Sequence, residues 1–203
     1  MTTLQELAQE AAGCTRCDLY RRATATVFGE GQARASLVLV GEQPGDQEDK
    51  QGHPFVGPAG RLLDRALADS GIDRQDAYIT NAVKHFKWQP RGKRRIHERP
   101  NGTEIMACRH WLEGELAVVG PQVVVTLGAT AGTSLFGSRF RVGERRGHVD
   151  EASVGPWHGL VVSTIHPSAV LRAPDGEARH SAYQGFVGDL STAGRAAAKA
   201  RAG

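Results

Sequence analysis

Residues 36–60, SLVLVGEQPGDQEDKQGHPFVGPAG, decide the fold. The apolar run at 36–40 predicts a buried strand, and Pro58 predicts the start of a helix. A loop rich in glycine, carboxylates and amides lies between them. Because open α/β sheets bind their ligands at the carboxyl ends of parallel strands, this loop predicts one side of an active site.

Segments with strand character alternate with segments of helical periodicity along the whole chain. The predicted strands are 36–41, 77–83, 122–127 and 159–165, and the predicted helices are 3–11, 58–70, 103–118, 129–135 and 178–198. This alternation predicts an α/β fold, a four-stranded parallel sheet flanked by helices on both faces. A length of 203 residues fits one domain, 1–203, with a cysteine-bearing N-terminal segment and an inserted basic loop at 86–100.

Bulk composition excludes few classes of protein. The net charge of +3, from 25 basic and 22 acidic side chains, does not by itself establish nucleic-acid binding. No apolar stretch is long enough to cross a membrane, and the N-terminus lacks the basic start and apolar core of a signal peptide. We therefore expect a cytoplasmic protein with no membrane contact. With no evident oligomerisation motif, we also expect a monomer.

The loop after the first strand offers small and polar residues to a ligand. Its glycines permit tight turns, and Phe55 is suited to stacking on a flat ring. Composition alone fits equally well a solvated loop with one core phenylalanine. The candidate site residues in the loop are Gly41, Glu42, Gln43, Gly45, Asp46 and Phe55.

Polar side chains also follow two other predicted strands. His166 ends the last strand, where an imidazole N–H stabilises developing negative charge, although a structural histidine is at least as common. Asn81 ends the second strand, and its amide matches a base edge with a donor beside an acceptor, such as N3–H and O4 of uracil. A turn or capping role for Asn81 is the commoner case. Ser168 and Arg172 follow His166 within six residues.

Three cysteines form an odd set. Cys14 and Cys17 have the C-x-x-C spacing of metal, cluster or redox sites, and Cys108 lies on the inward face of a predicted helix. A cluster normally takes four protein ligands, and His85 is the best candidate for the fourth. Unrelated buried thiols are the alternative.

The connection between the second strand and the helix at 103–118 is unusually long and basic. Lys93, Arg94 and Arg95 are candidates for phosphate contacts, although a solvated charge run has the same composition. His97 lies beside Glu98 in the same segment. Loops of this length inside α/β domains are usually functional or disordered.

Taken together, these motifs resemble the uracil-DNA glycosylase superfamily. The similarity rests on GEQPG with GHPFVGPAG, then TNAVKH, then HPSAVLR, in that order along nearly the whole chain. It is strongest for the iron–sulfur enzymes called family 4. The insertion KRRIH, residues 93–97, is the signature of their UdgX-type relatives.

The resemblance implies a role for each candidate residue. Phe55 stacks on a flipped uracil, Asn81 recognises its pyrimidine edge, and His166 donates to its O2 atom as the base leaves. Glu42 and Gln43 occupy the motif that holds polar catalytic groups in this family. The resemblance implies a 4Fe–4S cluster as cofactor. Its ligands are Cys14, Cys17, Cys108 and, departing from the usual cysteine, His85.

Two further departures suggest an unusual reaction. Gln43 stands where several such enzymes keep a water-activating Asp or Asn, and a neutral amide is no base. His97 lies in the extra length of the long connection. We therefore expect His97, held by Glu42, to bond to the sugar C1′ atom, releasing free uracil once from DNA, with single strands preferred. The alternatives are a turnover glycosylase and a non-catalytic iron–sulfur protein that binds nucleic acid.

Overall fold

The computed structural model describes residues 2–202 and contains two sheets within them. The strands are β1 (Glu30–Gly31), β2 (Leu37–Gly41), β3 (Ala77–Asn81), β4 (Trp88–Arg91), β5 (Arg94–His97), β6 (Val123–Leu127), β7 (Val149–Val154) and β8 (Trp157–Thr164). The helices are α1 (Leu4–Ala12), α2 (Asp46–Gln51), α3 (Pro58–Asp69), α4 (Gly102–Val119), α5 (Ala129–Phe136), α6 (Val142–Arg145), α7 (Pro167–Leu171) and α8 (Gly176–Ala202). Two 3-10 turns, Asp18–Arg21 and Arg74–Asp76, complete the regular structure.

The main sheet has the order β1-β3-β2-β6-β8-β7. Strands β3, β2, β6 and β8 are parallel, as predicted, whereas β1 and β7 pair antiparallel at the two edges. The α/β class is therefore confirmed, but the sheet has six strands and not four. The edge strands escaped prediction because β1 has two residues and half of the residues of β7, VDEASV, are polar.

Both faces of the sheet are covered by helices, as predicted. Leu37 and Leu39 of β2 belong to an apolar cluster with α3 and α8, and the alternating Val38 and Val40 belong to a second cluster with α4 and α5. This alternation follows from the two-residue repeat of a strand. None of the helices described is both long and apolar enough to cross a bilayer.

The predicted loop at 86–100 is largely a two-stranded hairpin. Strands β4 and β5 pair antiparallel, with Trp88 opposite His97 and Arg91 opposite Arg94. Gly92, with φ of 59°, occupies the first central position of the two-residue turn, where a positive φ matches the twist of the strands. Within β5 the alternation places Arg95 and His97 on one face and Arg94 and Ile96 on the other.

The polar loop after β2 contains a short helix, α2, that its composition did not reveal. The buried Glu48 carboxylate accepts hydrogen bonds from the backbone N–H of Gly45 at 3.1 Å and of Gly57 at 2.8 Å. One side chain thus joins the beginning of the loop to the start of α3. Since charge-assisted bonds to backbone N–H groups are strong, this contact makes the loop rigid.

The strand order places a crevice between β2 and β6. From β2 the chain adds β3 on one side and then crosses to add β6 on the other. Such a switch point, at the carboxyl ends of parallel strands, is where open sheets bind ligands. Glu42 follows β2 and Gly128 follows β6, so both flank this crevice.

Candidate active site

A cavity of about 920 Å³ opens at this crevice. It brings together residues from six separate parts of the sequence, within 42–59, 81, 97–99, 128–129, 142 and 165–172. Ten of the predicted site residues line it, namely Glu42, Gln43, Gly45, Asp46, Phe55, Asn81, His97, His166, Ser168 and Arg172. Lys93, Arg94 and Arg95 are not among the lining residues, and neither are the three cysteines or His85.

Phe55 forms one side of the cavity, and its backbone has a strained, positive-φ conformation. It has a φ of 57°, is only 6% exposed, and its ring centroid lies 6.1 Å from that of His166. A Cβ atom at Gly60 would lie 1.6 Å from the Phe55 carbonyl oxygen, so only glycine fits there. The close backbone approach at Gly60 fixes where the aromatic ring stands.

Asn81 presents an unused acceptor beside this ring. Its Oδ1 atom is buried and has no hydrogen-bond partner within residues 2–202. A Cβ atom at Gly41 would lie 2.3 Å from Oδ1 and 2.5 Å from Phe55 Cζ. Gly41 therefore contributes by leaving space between the aromatic ring and the amide. A buried acceptor without a partner costs free energy unless a ligand donates to it.

His166 is fixed as a neutral hydrogen-bond donor. Its Nδ1 atom accepts the Ser168 backbone N–H at 3.2 Å and lies 2.7 Å from the Ser168 hydroxyl oxygen. Nδ1 is therefore unprotonated, and the ring proton is on Nε2. Burial lowers the pKa of His166 to about 4, although the Glu42 carboxylate opposes that effect. A neutral imidazole with its N–H directed away from the Ser168 contacts suits stabilisation of a developing anion.

Glu42 and His97 meet in the cavity from different elements. Nε2 of His97, at the end of β5, lies 3.2 Å from Oε1 of Glu42, which follows β2. The Thr130 hydroxyl donates to the other carboxylate oxygen, Oε2, and Nε of Arg99 lies 4.0 Å from that atom. Burial opposes ionisation of Glu42, but the hydrogen bonds from His97 and Thr130 lower its pKa below the ordinary value. Glu42 is thus a carboxylate that holds one imidazole nitrogen.

Gln43 holds the base of the hairpin. Its Nε2 atom donates to the carbonyl oxygens of Lys87 at 3.2 Å and Glu98 at 3.0 Å, while its Oε1 atom accepts the Lys87 N–H at 3.0 Å. The side chain is 7% exposed. These three bonds occupy the amide, so Gln43, which stands where related enzymes keep a water-activating side chain, fixes the hairpin in this structure.

Arg95 faces inward and binds two carboxylates. Its guanidinium lies 2.6 Å from Oδ1 of Asp46 and 2.6 Å from Oδ2 of Asp49, and it packs over the rings of Phe86 and Trp88. Its side chain is 18% exposed. The guanidinium thus has two carboxylate partners within the protein, which favours an anchoring role over the predicted phosphate contact. These contacts also make Asp46 an anchor for the hairpin more than a ligand contact.

Lys93 and Arg94 lie at the tip of the hairpin and are exposed, as phosphate contacts require. Arg172 is exposed and lines the cavity. Leu171 beside it is 41% exposed, an unusual position for so apolar a side chain. The exposed Arg172 beside the apolar Leu171, both lining the cavity, suits contact with a nucleic-acid strand.

The cysteines share one apolar cluster beneath α1 and α4. Cys14 and Cys108 are buried in it and Cys17 packs against it. The Trp111 indole N–H donates to Cys14 Sγ and the Lys84 backbone N–H donates to Cys108 Sγ, both at 3.2 Å. Burial raises the pKa of Cys108 to about 11. No group of three or more His, Cys, Asp or Glu side chains within residues 2–202 is arranged to hold a metal ion.

His85 lies next to Lys84 and leaves one ring nitrogen unused. Its Nε2 atom is 2.9 Å from the hydroxyl oxygen of Thr26, which itself donates to the Ala12 carbonyl oxygen at 3.4 Å. Nε2 is therefore the donor, and Nδ1 carries the lone pair. Nδ1 is buried without a partner in the part of the chain that is described. Burial lowers the pKa of His85, so the ring is neutral and able to bind a metal.

Sequence patterns did not single out several residues that build the site. Thr130 and Arg99 contact Glu42, and Asp49 binds Arg95. The two residues of each contact are 46 to 88 positions apart in the sequence, so no local spacing reveals them. Of these residues, only Asp49 belongs to a segment that the sequence marked as functional, the carboxylate-rich loop after the first strand.

Comparison with known proteins gives consistent results. The family model described as uracil DNA glycosylase superfamily matches residues 28–190. A type-4 uracil-DNA glycosylase of Thermotoga maritima is 40% identical over 187 residues, covering 88% of this chain and 91% of that protein. Another from Archaeoglobus fulgidus is 35% identical over 194 residues, 94% of each chain. A third, from Pyrobaculum aerophilum, is 35% identical over 175 residues, covering 84% of this chain and 86% of its own.

Proposed function

Because the chain belongs to the uracil DNA glycosylase superfamily, we propose that it cleaves uracil from DNA and then bonds through His97 to the abasic sugar, as a UdgX-type protein. The observation that carries the proposal is the pairing of His97 with Glu42, 3.2 Å apart, inside the cavity that also holds Phe55, Asn81 and His166. A nucleophile held by a carboxylate beside a base-sized site is the arrangement that such capture requires.

The base is bound between groups that are already in place. Phe55 stacks on the flipped uracil, and Asn81 Oδ1, which is buried and has no partner among the residues described, accepts the uracil N3–H. The amide N–H of Asn81 donates to O4. Cytosine shows the opposite pattern on this edge and would leave the buried acceptor unsatisfied, at a cost of about 1–3 kcal/mol per group.

Departure of the base requires stabilisation of negative charge. The N1–C1′ bond breaks, and its electron pair leaves with the uracil as an anion. The Nε2–H of His166 donates to O2 of that anion, and because His166 is neutral it has a proton to share without first losing one. One such donor contributes about 3–4 kcal/mol in other active sites.

The sugar cation is then captured by His97. The ring nitrogen that Glu42 holds carries the proton, and the other nitrogen supplies its lone pair to C1′. As the C1′–N bond forms, the Glu42 carboxylate balances the positive charge on the imidazole ring, and the ring proton is then lost to solvent, so the attached imidazole is neutral. A neutral N-linked imidazole is a poor leaving group, and the adduct persists.

Water is a weak competitor in this site. Gln43 is turned to the hairpin by three hydrogen bonds, and both oxygens of Glu42 have partners, His97 and Thr130. Neither side chain is therefore available to activate a water molecule. The same side chains that fix the hairpin thus favour capture by His97 over hydrolysis.

DNA binds with the exposed cations around the cavity. Lys93 and Arg94 at the hairpin tip and Arg172 at the rim contact phosphates, and Leu171 enters the space that the flipped base vacates. Single-stranded DNA is the preferred substrate because its bases are extruded at lower cost. The protein acts as a single-domain monomer and needs no membrane.

The cysteine group fits an iron–sulfur cluster. The ligands would be Cys14, Cys17, Cys108 and Nδ1 of His85, and two N–H groups already donate to the sulfurs, as around cluster thiolates. Each iron of a 4Fe–4S cluster takes its own ligand, so these side chains need to surround a cluster and not converge on one ion. A bound cluster would join the N-terminal segment, the chain after β3 and α4 through bonds to iron.

Denaturing electrophoresis tests the central proposal. The protein is incubated with single-stranded DNA containing uracil, with thymine DNA of the same sequence as control. We expect a shifted band and one equivalent of free uracil, both only with uracil DNA, and no shifted band for His97→Ser. Multiple turnovers without a shifted band would indicate an ordinary glycosylase, and binding without uracil release would indicate a non-catalytic protein. Cross-linking of His97→Ser at the wild-type yield would assign the nucleophile elsewhere.

A further inference from the structure

Lys84 and Glu115 form an ion pair that the proposed reaction does not use. Their side chains are both 0% exposed, and Nζ lies 2.5 Å from Oε2. Lys84 follows β3 and Glu115 lies on α4, so the pair joins the sheet to the helix layer beneath the site. A buried pair of this kind is no better for stability than packed apolar side chains, which makes a role in specifying geometry worth testing.

The ammonium group of Lys84 binds back onto the strand that precedes it. Besides Glu115, Nζ donates to the Thr80 hydroxyl oxygen at 2.6 Å and to the Asn81 carbonyl oxygen at 2.8 Å. These three acceptors match the three protons of an ammonium group. Residues 80–84 are thereby closed into a compact turn with Asn81 inside it.

Glu115 is equally well satisfied. Its Oε1 atom accepts from the Gly29 backbone N–H at 3.1 Å, the Tyr78 hydroxyl at 3.0 Å and the Thr80 hydroxyl at 2.8 Å. The carboxylate therefore fixes Lys84 from several directions. Fully satisfied buried networks of this kind specify one arrangement of the groups they contact.

The orientation of the Asn81 side chain depends on hydrogen bonds made by the backbone of residues 81–83. Neither end of its side-chain amide has a hydrogen-bond partner among residues 2–202, and Oδ1 is buried. The following N–H groups, of Ala82 and Val83, donate to the carbonyl oxygens of Gly41 and Glu42 at 2.9 and 3.0 Å. Lys84 supplies the remaining contact, at the Asn81 carbonyl oxygen. The amide is thus aimed by its backbone and not by side-chain contacts.

We propose that the Lys84–Glu115 pair is the positioning element for Asn81, fixing the angle at which the amide meets the pyrimidine edge. The inference deepens the proposed function and rests on it. Lys84 acts through Asn81 and touches neither the base nor the sugar. Because its own N–H donates to Cys108 Sγ, the residue also joins the cysteine group to the base-binding side of the cavity.

A double-mutant cycle tests this role. Lys84→Met with Glu115→Gln replaces the pair by neutral groups and leaves no unpaired buried charge. Uracil release is measured in single turnover at saturating DNA, in the wild-type and in the Asn81→Ala background. We expect the paired substitution to slow release by about tenfold to a hundredfold when Asn81 is present, as misplacement of a binding group does. In the Asn81→Ala background we expect the further loss to be below about threefold.

Controls separate positioning from stability. Tyr78→Phe removes one hydrogen bond to Glu115 without touching Asn81, and we expect a lower melting temperature with an unchanged rate. The same fold-loss in both Asn81 backgrounds, or no loss in either, overturns the positioning role while leaving the proposed function intact. Absence of uracil release from the wild-type protein rejects both. If the paired variant does not fold, Thr80→Val, which removes one contact of Nζ and leaves both charges paired, is put through the same cycle with the same expected non-additivity.

Discussion

Nη1 of Arg95 lies 2.6 Å from Oδ2 of Asp49, a carboxylate that solvent does not reach. Asp49 also accepts backbone N–H groups from Thr24 at 2.9 Å and Ala25 at 3.3 Å, so one buried side chain connects the N-terminal segment, α2 and the hairpin. Since Arg95 and His97 share a face of β5, this ion pair sets the position of the proposed nucleophile. The basic motif is thus partly a structural element.

Arg95→Ala should destabilise the protein and misplace His97. Removing the guanidinium leaves the buried Asp49 charge unpaired. Breaking a buried ion pair costs about 3–5 kcal/mol. Because Arg95 is partly exposed, we expect a loss at the lower end of that range. We expect a lower free energy of unfolding in a denaturant titration and slower adduct formation. Lys93→Ala, at an exposed position, should change the free energy of unfolding by less than about 0.5 kcal/mol. Equal stability of the two variants would exclude this anchoring role.

Gln43→Glu distinguishes an anchor from a water-activating residue. The new carboxylate keeps the Lys87 N–H but faces the carbonyl oxygens of Lys87 and Glu98 without a proton to share. Losing two buried bonds costs about 1–3 kcal/mol each, so we expect adduct formation to slow by tenfold or more, with no gain in hydrolysis. The rates of adduct formation and of turnover are measured on the same uracil DNA. Increased turnover would show that position 43 faces the attacking water.

Gly41→Ala should close the base site. The added Cβ would lie 2.3 Å from Asn81 Oδ1 and 2.5 Å from Phe55 Cζ, in the space where we place the edge of uracil. We expect adduct formation to fall by about a hundredfold, as displacement of catalytic groups does. Gly188→Ala is the matched control, because a Cβ there meets nothing within 4 Å. Single-turnover rates and circular dichroism of both variants test this, and wild-type activity of Gly41→Ala would contradict it.

His166 should make stability depend on pH on the acid side. Burial lowers its pKa from 6.5 to about 4, so the unfolded chain binds the proton more tightly than the folded one between these values. The contribution of neutral His166 to the free energy of unfolding is therefore complete above pH 6.5. It is lost as the pH falls towards 4, with an upper bound of about 3 kcal/mol. We expect the free energy of unfolding of His166→Gln to fall less over this interval. Parallel slopes for both proteins would show that His166 does not titrate as described.

His85 should be required for iron. Replacing it by alanine removes the buried Nδ1 lone pair, whereas cysteine supplies a sulfur ligand in its place. We expect purified His85→Ala to contain less iron and to absorb less visible light, and His85→Cys to retain both. His110→Ala, which removes an exposed histidine from α4, is the control. Normal iron content in His85→Ala would mean that another residue is the fourth ligand.

The strands whose ends form the site were predicted accurately from the sequence. Buried runs such as residues 37–41 and 123–127 have apolar patterns that local propensity and burial both favour, so their positions were predicted to within one residue at each end. The end of β3 was placed at 83 although pairing stops at Asn81, because residues 82 and 83 continue the apolar pattern while their N–H groups bind the chain after β2.

The roles of individual polar residues were harder to predict. Arg95 lies in a basic run that is typical of phosphate contacts. Only the hairpin in the folded structure directs its side chain towards Asp46 and Asp49. Gln43 looked like a substitute for a water-activating side chain, and its true partners are main-chain atoms 44 and 55 residues away. Such contacts depend on tertiary structure, which no local pattern encodes. Asn81 and His166 do line the cavity, because the strand ends fix where they lie, and their roles in binding and catalysis stay predictions.

Because side chains alternate along β5, Arg95 and His97 face the same way only while they stay an even number of positions apart. Inserting or deleting a single residue between Arg95 and His97 would turn one of them to the solvent face and bring Ile96 or its neighbour inward. An insertion or deletion of odd length therefore places Arg95 and His97 on opposite faces of the strand, whereas a change of even length keeps them on the same face. A relative with an odd-length change in this segment would be expected to form less covalent adduct, because it would lose either the inward nucleophile or the anchor that positions it.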